Sequence, residues 1–340
     1  MTNTIDTAPS KGGVPAVRFP TRRLGHANIY VSERDRAFAF YNGICGFDMV
    51  GHSKSSYFLS NGNSHHDFGL NGSGTNEPRY GADGTLKSVA NYRGPGTLNH
   101  LGWETANQAA LVEAYRRALD ADLRIQRSLY HGGSHALYLF DPDGVYHEFY
   151  ADATLEWRKI FSGGDASSVT EGWDPIAKPA DPTPYWDPKP VWVAVEKAPI
   201  APRRISRAVV YVSDVVKLVA FYRDVGGLDL MFLARDQSYA YLRGAARQSG
   251  FDLCLLTAER ADQVGTYGVA AELTDEDAVG RAEAALARTG IAPARRFDDA
   301  RKRSFFLTDP DQVPIEFFVE RTADYEALER IDPALRRYAA

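Results

Sequence analysis

Eight histidines are present, His26, His52, His65, His66, His100, His131, His135 and His147, and all of them precede residue 148. At 148 stands a glutamate inside the aromatic run "HALYLFDPDGVYHEFY" (135–150). A carboxylate among aromatics is costly to bury unless something pairs with it, and that run holds no lysine or arginine. His26 opens one predicted strand and His100 opens another. If the units carrying them lie side by side, equivalent strand starts meet across a pseudo-twofold axis and reach Glu148. Two imidazoles and one carboxylate leave the remaining positions of a divalent ion open, the arrangement typical of non-heme Fe(II) oxygenases. Fe(II) is therefore the expected metal, and Mn(II) suits the same ligands. A bound cation would also account for the buried Glu148.

The elements that must position these groups follow from a repeat. "ANIYVSERDRAFAFYNGICGFDMV" (27–50) resembles "AVVYVSDVVKLVAFYRDVGGLDLMF" (208–232), so that Tyr30, Ser32 and Phe40-Tyr41 recur as Tyr211, Ser213 and Phe221-Tyr222. "LYLFDPDG" recurs later as "FFLTDPDQ" at a shorter offset. The first half therefore holds extra residues, placed in the Gly/Asn/Ser-rich loop 71–97. Each half divides again. A strand at 27–31 leads to a helix capped at Ser32, with Ala37, Phe40, Tyr41 and Ile44 as its apolar stripe. Strands follow near 46–51, 56–60 and 65–70. A strand at 98–104, a helix near 107–120 striped by Leu111, Tyr115, Ala118 and Leu119, and strands near 123–128, 135–140 and 145–150 form the second unit. The expected fold is α+β: four βαβββ modules paired into two curved, barrel-like mixed-sheet domains. A turn centred on Asp143 sets Tyr138 opposite Glu148 on one face. Asp141-Pro-Asp-Gly144 is read as a turn and not a site.

The chain divides into a disordered tail (1–21), a metal-binding catalytic domain (22–150), a Pro/Trp-rich connector (151–203), a degenerate domain without metal (204–320) and a helical C-terminal tail (321–340). The connector's tryptophans are read as packing anchors. Both the 71–97 loop and the connector are placed to border the pocket. Composition sets further bounds. With a net charge of −5, the chain argues against nucleic acid or an anionic membrane as its partner. No apolar run is long enough to span a bilayer, and the N-terminus lacks a signal-peptide core. The two cysteines, Cys45 and Cys254, fit a reducing cytoplasm. A homo-oligomer is expected.

The motifs "LGHANIYVSERDRAFAFYNGICGFDMV", "HHDFGL", "LNHLGWET" and "HGGSHALYLFDPDGVYHEFY" resemble the vicinal oxygen chelate superfamily, and within it the type I extradiol ring-cleavage dioxygenases. The resemblance covers 22–150 closely and 204–320 as a fold repeat. It implies that His26, His100 and Glu148 are metal ligands and His66 the acid–base catalyst. It implies also that Tyr138, ten residues before Glu148, hydrogen-bonds substrate, with His131 beside it. It implies an Fe(II) enzyme that takes a small aromatic catechol and O2, opens the ring and puts both oxygen atoms into the product. Many two-domain members carry their metal in the second half. Here that half has Arg207, Gly268 and Phe306 where the first has His26, His100 and Tyr138. Glu316 alone is kept, and it is expected to pair with an arginine, Arg207 being the candidate. His65 is expected to point away from the site along its strand. Two other readings use the same fold. A glyoxalase-like isomerase or lyase would need a fourth ligand, which "HHDFGL" offers only as His65, His66 or Asp67. A non-catalytic binder of aromatic compounds would not need the triad.

Overall fold

The hairpin read from the "DPDG" turn is present, with Tyr138 opposite Glu148 and Phe140 opposite Tyr146. The computed structural model describes residues 16–72, 74, 77–81, 84–161, 170–323, 325 and 338. Most of the N-terminal tail and the expected C-terminal helix lie outside the described residues.

In the first half run β1 (Thr21–Tyr30), α1 (Arg34–Tyr41), β2 (Met49–His52), β3 (Ser56–Leu59), β4 (Phe68–Asn71), the short pair β5 (Arg79–Tyr80) and β6 (Leu86–Ser88), β7 (Thr97–Thr105), α2 (Gln108–Asp120), β8 (Arg127–Tyr130), β9 (Ser134–Phe140) and β10 (Tyr146–Asp152). The connector holds α3 (Trp157–Phe161) and β11 (Glu171–Gly172). In the second half follow β12 (Arg204–Val212), α4 (Val215–Asp224), β13 (Asp229–Leu233), β14 (Tyr239–Arg243), β15 (Leu253–Thr257), β16 (Tyr267–Glu272), α5 (Glu276–Arg288), β17 (Arg295–Asp298), β18 (Lys302–Thr308) and β19 (Pro314–Glu320).

Four βαβββ modules thus pair into two curved mixed sheets. The first has the order β11-β8-β9-β10-β7-β1-β4-β3-β2 and the second β13-β14-β15-β12-β16-β19-β18-β17. In each, the first strands of two modules pair antiparallel at the centre, β1 with β7 and β12 with β16. Each module's first strand also pairs in parallel with its own last strand. The antiparallel pairings at the centre are what turn four separate units into two sheets.

Local chemistry explains the helices. Asn107 accepts a hydrogen bond from the Ala110 amide at 2.8 Å and caps α2. Leu111, Val112, Ala114 and Ala118 form its buried face, while Leu119, expected in the stripe, is exposed. The expected cap at Ser32 is not formed. α1 begins later, with Glu33 at the cap position and no side-chain bond. The Ser32 amide instead donates to Asp311 of the second half at 2.9 Å. The mirror contact joins the Ser213 amide to Asp143 at 2.6 Å. Each "DPD" turn therefore docks on the helix start of the other half, and one continuous apolar core runs through both. Val17 and Phe19 belong to that core, and Phe19 stacks on Phe149 with ring centroids 4.1 Å apart. These two residues, expected in the tail, are therefore part of the packed domain. In the connector, Trp186 lies 3.6 Å under the Arg22 guanidinium and Trp157 packs with Val50.

Candidate metal centre

Antiparallel pairing of β1 and β7 sets His26 opposite Gly102 and Asn28 opposite His100. A register shift between Leu24 and His26 marks a bulge, a device that re-aims a side chain. β10 runs parallel to β7 with Glu148 also level with Gly102. Gly102 is thus the low point between the two side chains. A β-carbon there would meet the His26 ring, with Nε2 at 2.1 Å, so only glycine leaves the ring its place.

Over that low point three ligand atoms converge. His26 Nε2 lies 3.2 Å from His100 Nε2 and 3.1 Å from Glu148 Oε2. His100 Nε2 lies 2.8 Å from the same oxygen. All three side chains are buried. His100 Nδ1 is 2.6 Å from Asn99 Oδ1, an acceptor, so Nδ1 carries the proton and the Nε2 lone pair faces inward. Burial lowers the His26 pKa to about 3 and lowers that of His100 as well. Burial alone would raise that of Glu148, but the two imidazoles facing it hold it well below the usual carboxylate range. Two neutral imidazole nitrogens and one carboxylate oxygen, all within 3.2 Å of one another, make a compact set of nitrogen and oxygen donors. The donor set therefore fits a divalent ion. A second cluster, His26, His65 and His66, lies within the same reach.

His66 Nε2 is 3.1 Å from Asn28 Oδ1, and its ring stacks on His26 at 4.0 Å. Burial, and after it the neighbouring imidazoles, pushes its pKa well below the ordinary value. Tyr138 has its hydroxyl 2.8 Å from His131 Nε2. Burial, then Glu148, raises the phenol pKa well above its usual value. His131 Nδ1 is held 3.1 Å from Thr170 of the connector.

His66, His100, His131, Tyr138 and Glu148 line a cavity of about 640 Å³, and His26 lies buried behind its wall. Both long insertions border it, the 71–97 loop through residues such as Arg79 and Lys87 and the connector through Thr170. His135 does not reach it and packs between Tyr130 and Trp173. His147 accepts from Trp103 in the core, and His52 is exposed.

Four site residues escaped the sequence reading. Asn28 stands two positions after His26, on the same strand face, so alternation alone could have found it. Gly102 bears the same relation to His100. Arg127 was hidden in a strand read for its pattern. His65 was expected to face away, but the chain at 65–67 is not yet strand, so alternation does not apply there. Both neighbours line the cavity, and His65 Nδ1 sits 2.7 Å from Asp152.

The second half differs at the matching places. Arg207 does not pair with Glu316. Its guanidinium donates to Glu320 at 2.6 Å and lies over Phe251 and Phe318. Glu316 accepts from Lys302 at 2.6 Å, both side chains being buried. The long arginine reaches past Glu316 to the strand end, and the lysine of the adjacent strand fills the gap. Among the described residues, the groups that could hold a metal ion all lie in the first half.

Comparisons with known proteins agree with this architecture. The profile of the Glyoxalase/Bleomycin resistance protein/Dioxygenase superfamily matches residues 23–149 and 204–317. A catechol-2,3-dioxygenase of Bacillus subtilis (strain 168) is 44% identical over 50 residues, which is 14% of this chain and only 18% of that relative. Among solved structures, a variant of homoprotocatechuate 2,3-dioxygenase from B. fuscum matches with a TM-score of 0.60 at 14% identity, over 90% of this chain and 73% of that one. The 2,3-dioxygenase LapB from Pseudomonas sp. KL28 matches with a TM-score of 0.60 at 14% identity, over 90% and 96%. A Mn(II)-bound glyoxalase from Novosphingobium aromaticivorans matches with a TM-score of 0.59 at 16% identity, over 90% and 85%. At such identities these structures share the fold. With the superfamily profile matched over more than half its length, the chain belongs to the Glyoxalase/Bleomycin resistance protein/Dioxygenase superfamily.

Proposed function

We propose that the protein is an Fe(II)-dependent extradiol dioxygenase that cleaves a catecholic ring and incorporates both atoms of O2. The observation that carries the reading is the convergence of His26, His100 and Glu148, the last two lining, with His66, His131 and Tyr138, a cavity behind whose wall His26 is buried. His26, His100 and Glu148 would hold the iron, which supplies chelation of vicinal oxygens, acidifies them and provides the redox partner for O2. His66, neutral because it is buried, accepts a substrate hydroxyl proton and later returns it. Tyr138 stays protonated and donates its hydrogen bond to the deprotonated substrate oxygen. His131, 2.8 Å from the Tyr138 hydroxyl, orients it. Catalysis is assigned to 22–150, with 204–320 a domain without metal, and the enzyme is placed in the cytoplasm as a homo-oligomer.

The test is anaerobic loading with Fe(II) followed by oxygen uptake over a panel of catechols. Product formed under ¹⁸O2 should carry two labelled atoms. A metal-dependent isomerase on a vicinal-oxygen substrate is the rival, favoured by the extra imidazoles of His65 and His66 near His26. It would turn over without consuming oxygen.

A further inference from the structure

The charged groups of the cavity are unequal in sign. Lys54, Arg79, Lys87 and Arg127 line it against a single carboxylate, Glu148, among the described residues. Glu148 is engaged at the floor by His26 and His100. Lys54 and Arg79 are exposed, and solvent screens them. Arg127 and Lys87 are the informative pair.

Arg127 donates through Nε to the Tyr146 hydroxyl at 3.0 Å and through Nη1 to the Lys87 carbonyl at 2.6 Å. Its guanidinium lies 4.1 Å over the Tyr138 ring. It forms no ion pair among the described residues, although other arginines of the first half do: Arg22 and Arg23 both meet Glu104. The Lys87 ammonium donates to the Thr170 carbonyl at 3.2 Å and also lacks a carboxylate among the described residues. Its backbone in turn anchors Arg127. A half-buried guanidinium held by neutral acceptors, with Nη2 left over on the cavity wall, is open to an anion entering the cavity. A planar fork of this kind matches a carboxylate.

We propose that the substrate is a catechol bearing a carboxylate, and that Arg127, assisted by Lys87, seats this group while the vicinal oxygens face His26, His100 and Glu148. This rests on the dioxygenase reading for the ring, but the anion seat stands on its own contacts. Arg127 packs on Tyr138, so filling the seat would also fix the face of the ring presented to that tyrosine.

Two measurements separate the claims. The first is calorimetric binding of 3-phenylpropionate, which has no vicinal oxygens, to the metal-free chain. It should bind, weaken with added salt, and bind roughly 10-fold to 100-fold more weakly in Arg127→Gln, the usual worth of a charge-assisted hydrogen bond. Arg127→Lys should recover part of the loss, and Lys87→Gln should weaken binding in the same direction without touching the guanidinium. The second is the ratio of kcat/KM for 3-(3,4-dihydroxyphenyl)propionate over catechol in the iron-loaded enzyme. It should exceed about 10 in the wild type and approach one in Arg127→Gln. Wild-type failure to bind 3-phenylpropionate, equal ratios in wild type and variant, or an equal loss for both substrates would overturn the anion seat while ring cleavage still stood. Binding that depends on Arg127 without oxygen uptake on any catechol would support the seat and remove the dioxygenase reading.

Discussion

Tyr41 donates its buried hydroxyl to Asp309 Oδ2 at 3.0 Å, and in the mirror position Tyr222 donates to Asp141 Oδ2 at 2.9 Å. Each half thus sends a tyrosine from its first helix into the hairpin turn of the other. The turns in question join β9 to β10 and β18 to β19, and the first of them fixes the tip of the hairpin that carries Tyr138 and Glu148.

Removing one such hydroxyl leaves a buried carboxylate oxygen without its donor. Burial already raises the Asp309 pKa. Tyr41→Phe should therefore destabilise the chain by about 1–3 kcal/mol, read from chemical denaturation, and Asp309→Asn added to it should cost less than the sum of the two singles. Full additivity would show that the contact carries no coupling.

For the metal, replacing any one of His26, His100 or Glu148 by alanine should remove most bound iron and abolish ring cleavage, as measured by elemental analysis and oxygen uptake. The wild type should hold one equivalent per chain. Glu316→Gln should leave that stoichiometry unchanged while lowering stability, because Lys302 loses its buried partner. A single-ligand variant that keeps a full equivalent would remove that residue from the ligand set.

His66→Phe separates acid–base work from metal binding. Iron content should persist, and turnover should fall roughly 10²–10⁴-fold, the usual worth of a positioned proton-transfer group. Iron lost along with activity would instead make His66 a ligand and favour the isomerase.

Stability of the metal-free chain should depend on pH with a definite sign. Burial lowers His26 to about 3 and His131 to about 4, against an ordinary 6.5. Between 6.5 and those values the unfolded chain binds more protons than the folded one. The unfolding free energy should therefore be greatest above 6.5 and decline as pH falls toward 4. Denaturation midpoints that stay flat across this range would contradict the burial of neutral imidazoles.

Some of this was legible from the sequence for identifiable reasons. The hairpin register followed from turn chemistry, because a symmetric turn leaves one pairing for Tyr138 and Glu148. The pairing of β1 with β7 followed from the repeat. The meeting of His26, His100 and Glu148 depended on both, and their chemistry is readable because few combinations of residues tolerate burial together. What stayed hidden depended on distant partners. The Ser32 cap looked sound locally, yet its amide is claimed by Asp311 from the other half. The Arg207 partner was misassigned because a long side chain can pass its nearest carboxylate for one farther along the strand. His65 was misdirected because strand alternation was extended beyond where the strand begins.

The Lys302–Glu316 pair has a consequence for how the two halves come to be complete. The glutamate that each half places on its last strand needs a positive charge beside it. In the second half that charge is tethered to the polypeptide, delivered as soon as β18 and β19 zip together, and independent of what the surrounding solution contains. In the first half, on the proposed reading, it has to be acquired. Maturation would then be staged: one lobe finished at translation and rigid enough to hold the other's hairpin, the other waiting in shape for an ion whose supply sets the active fraction.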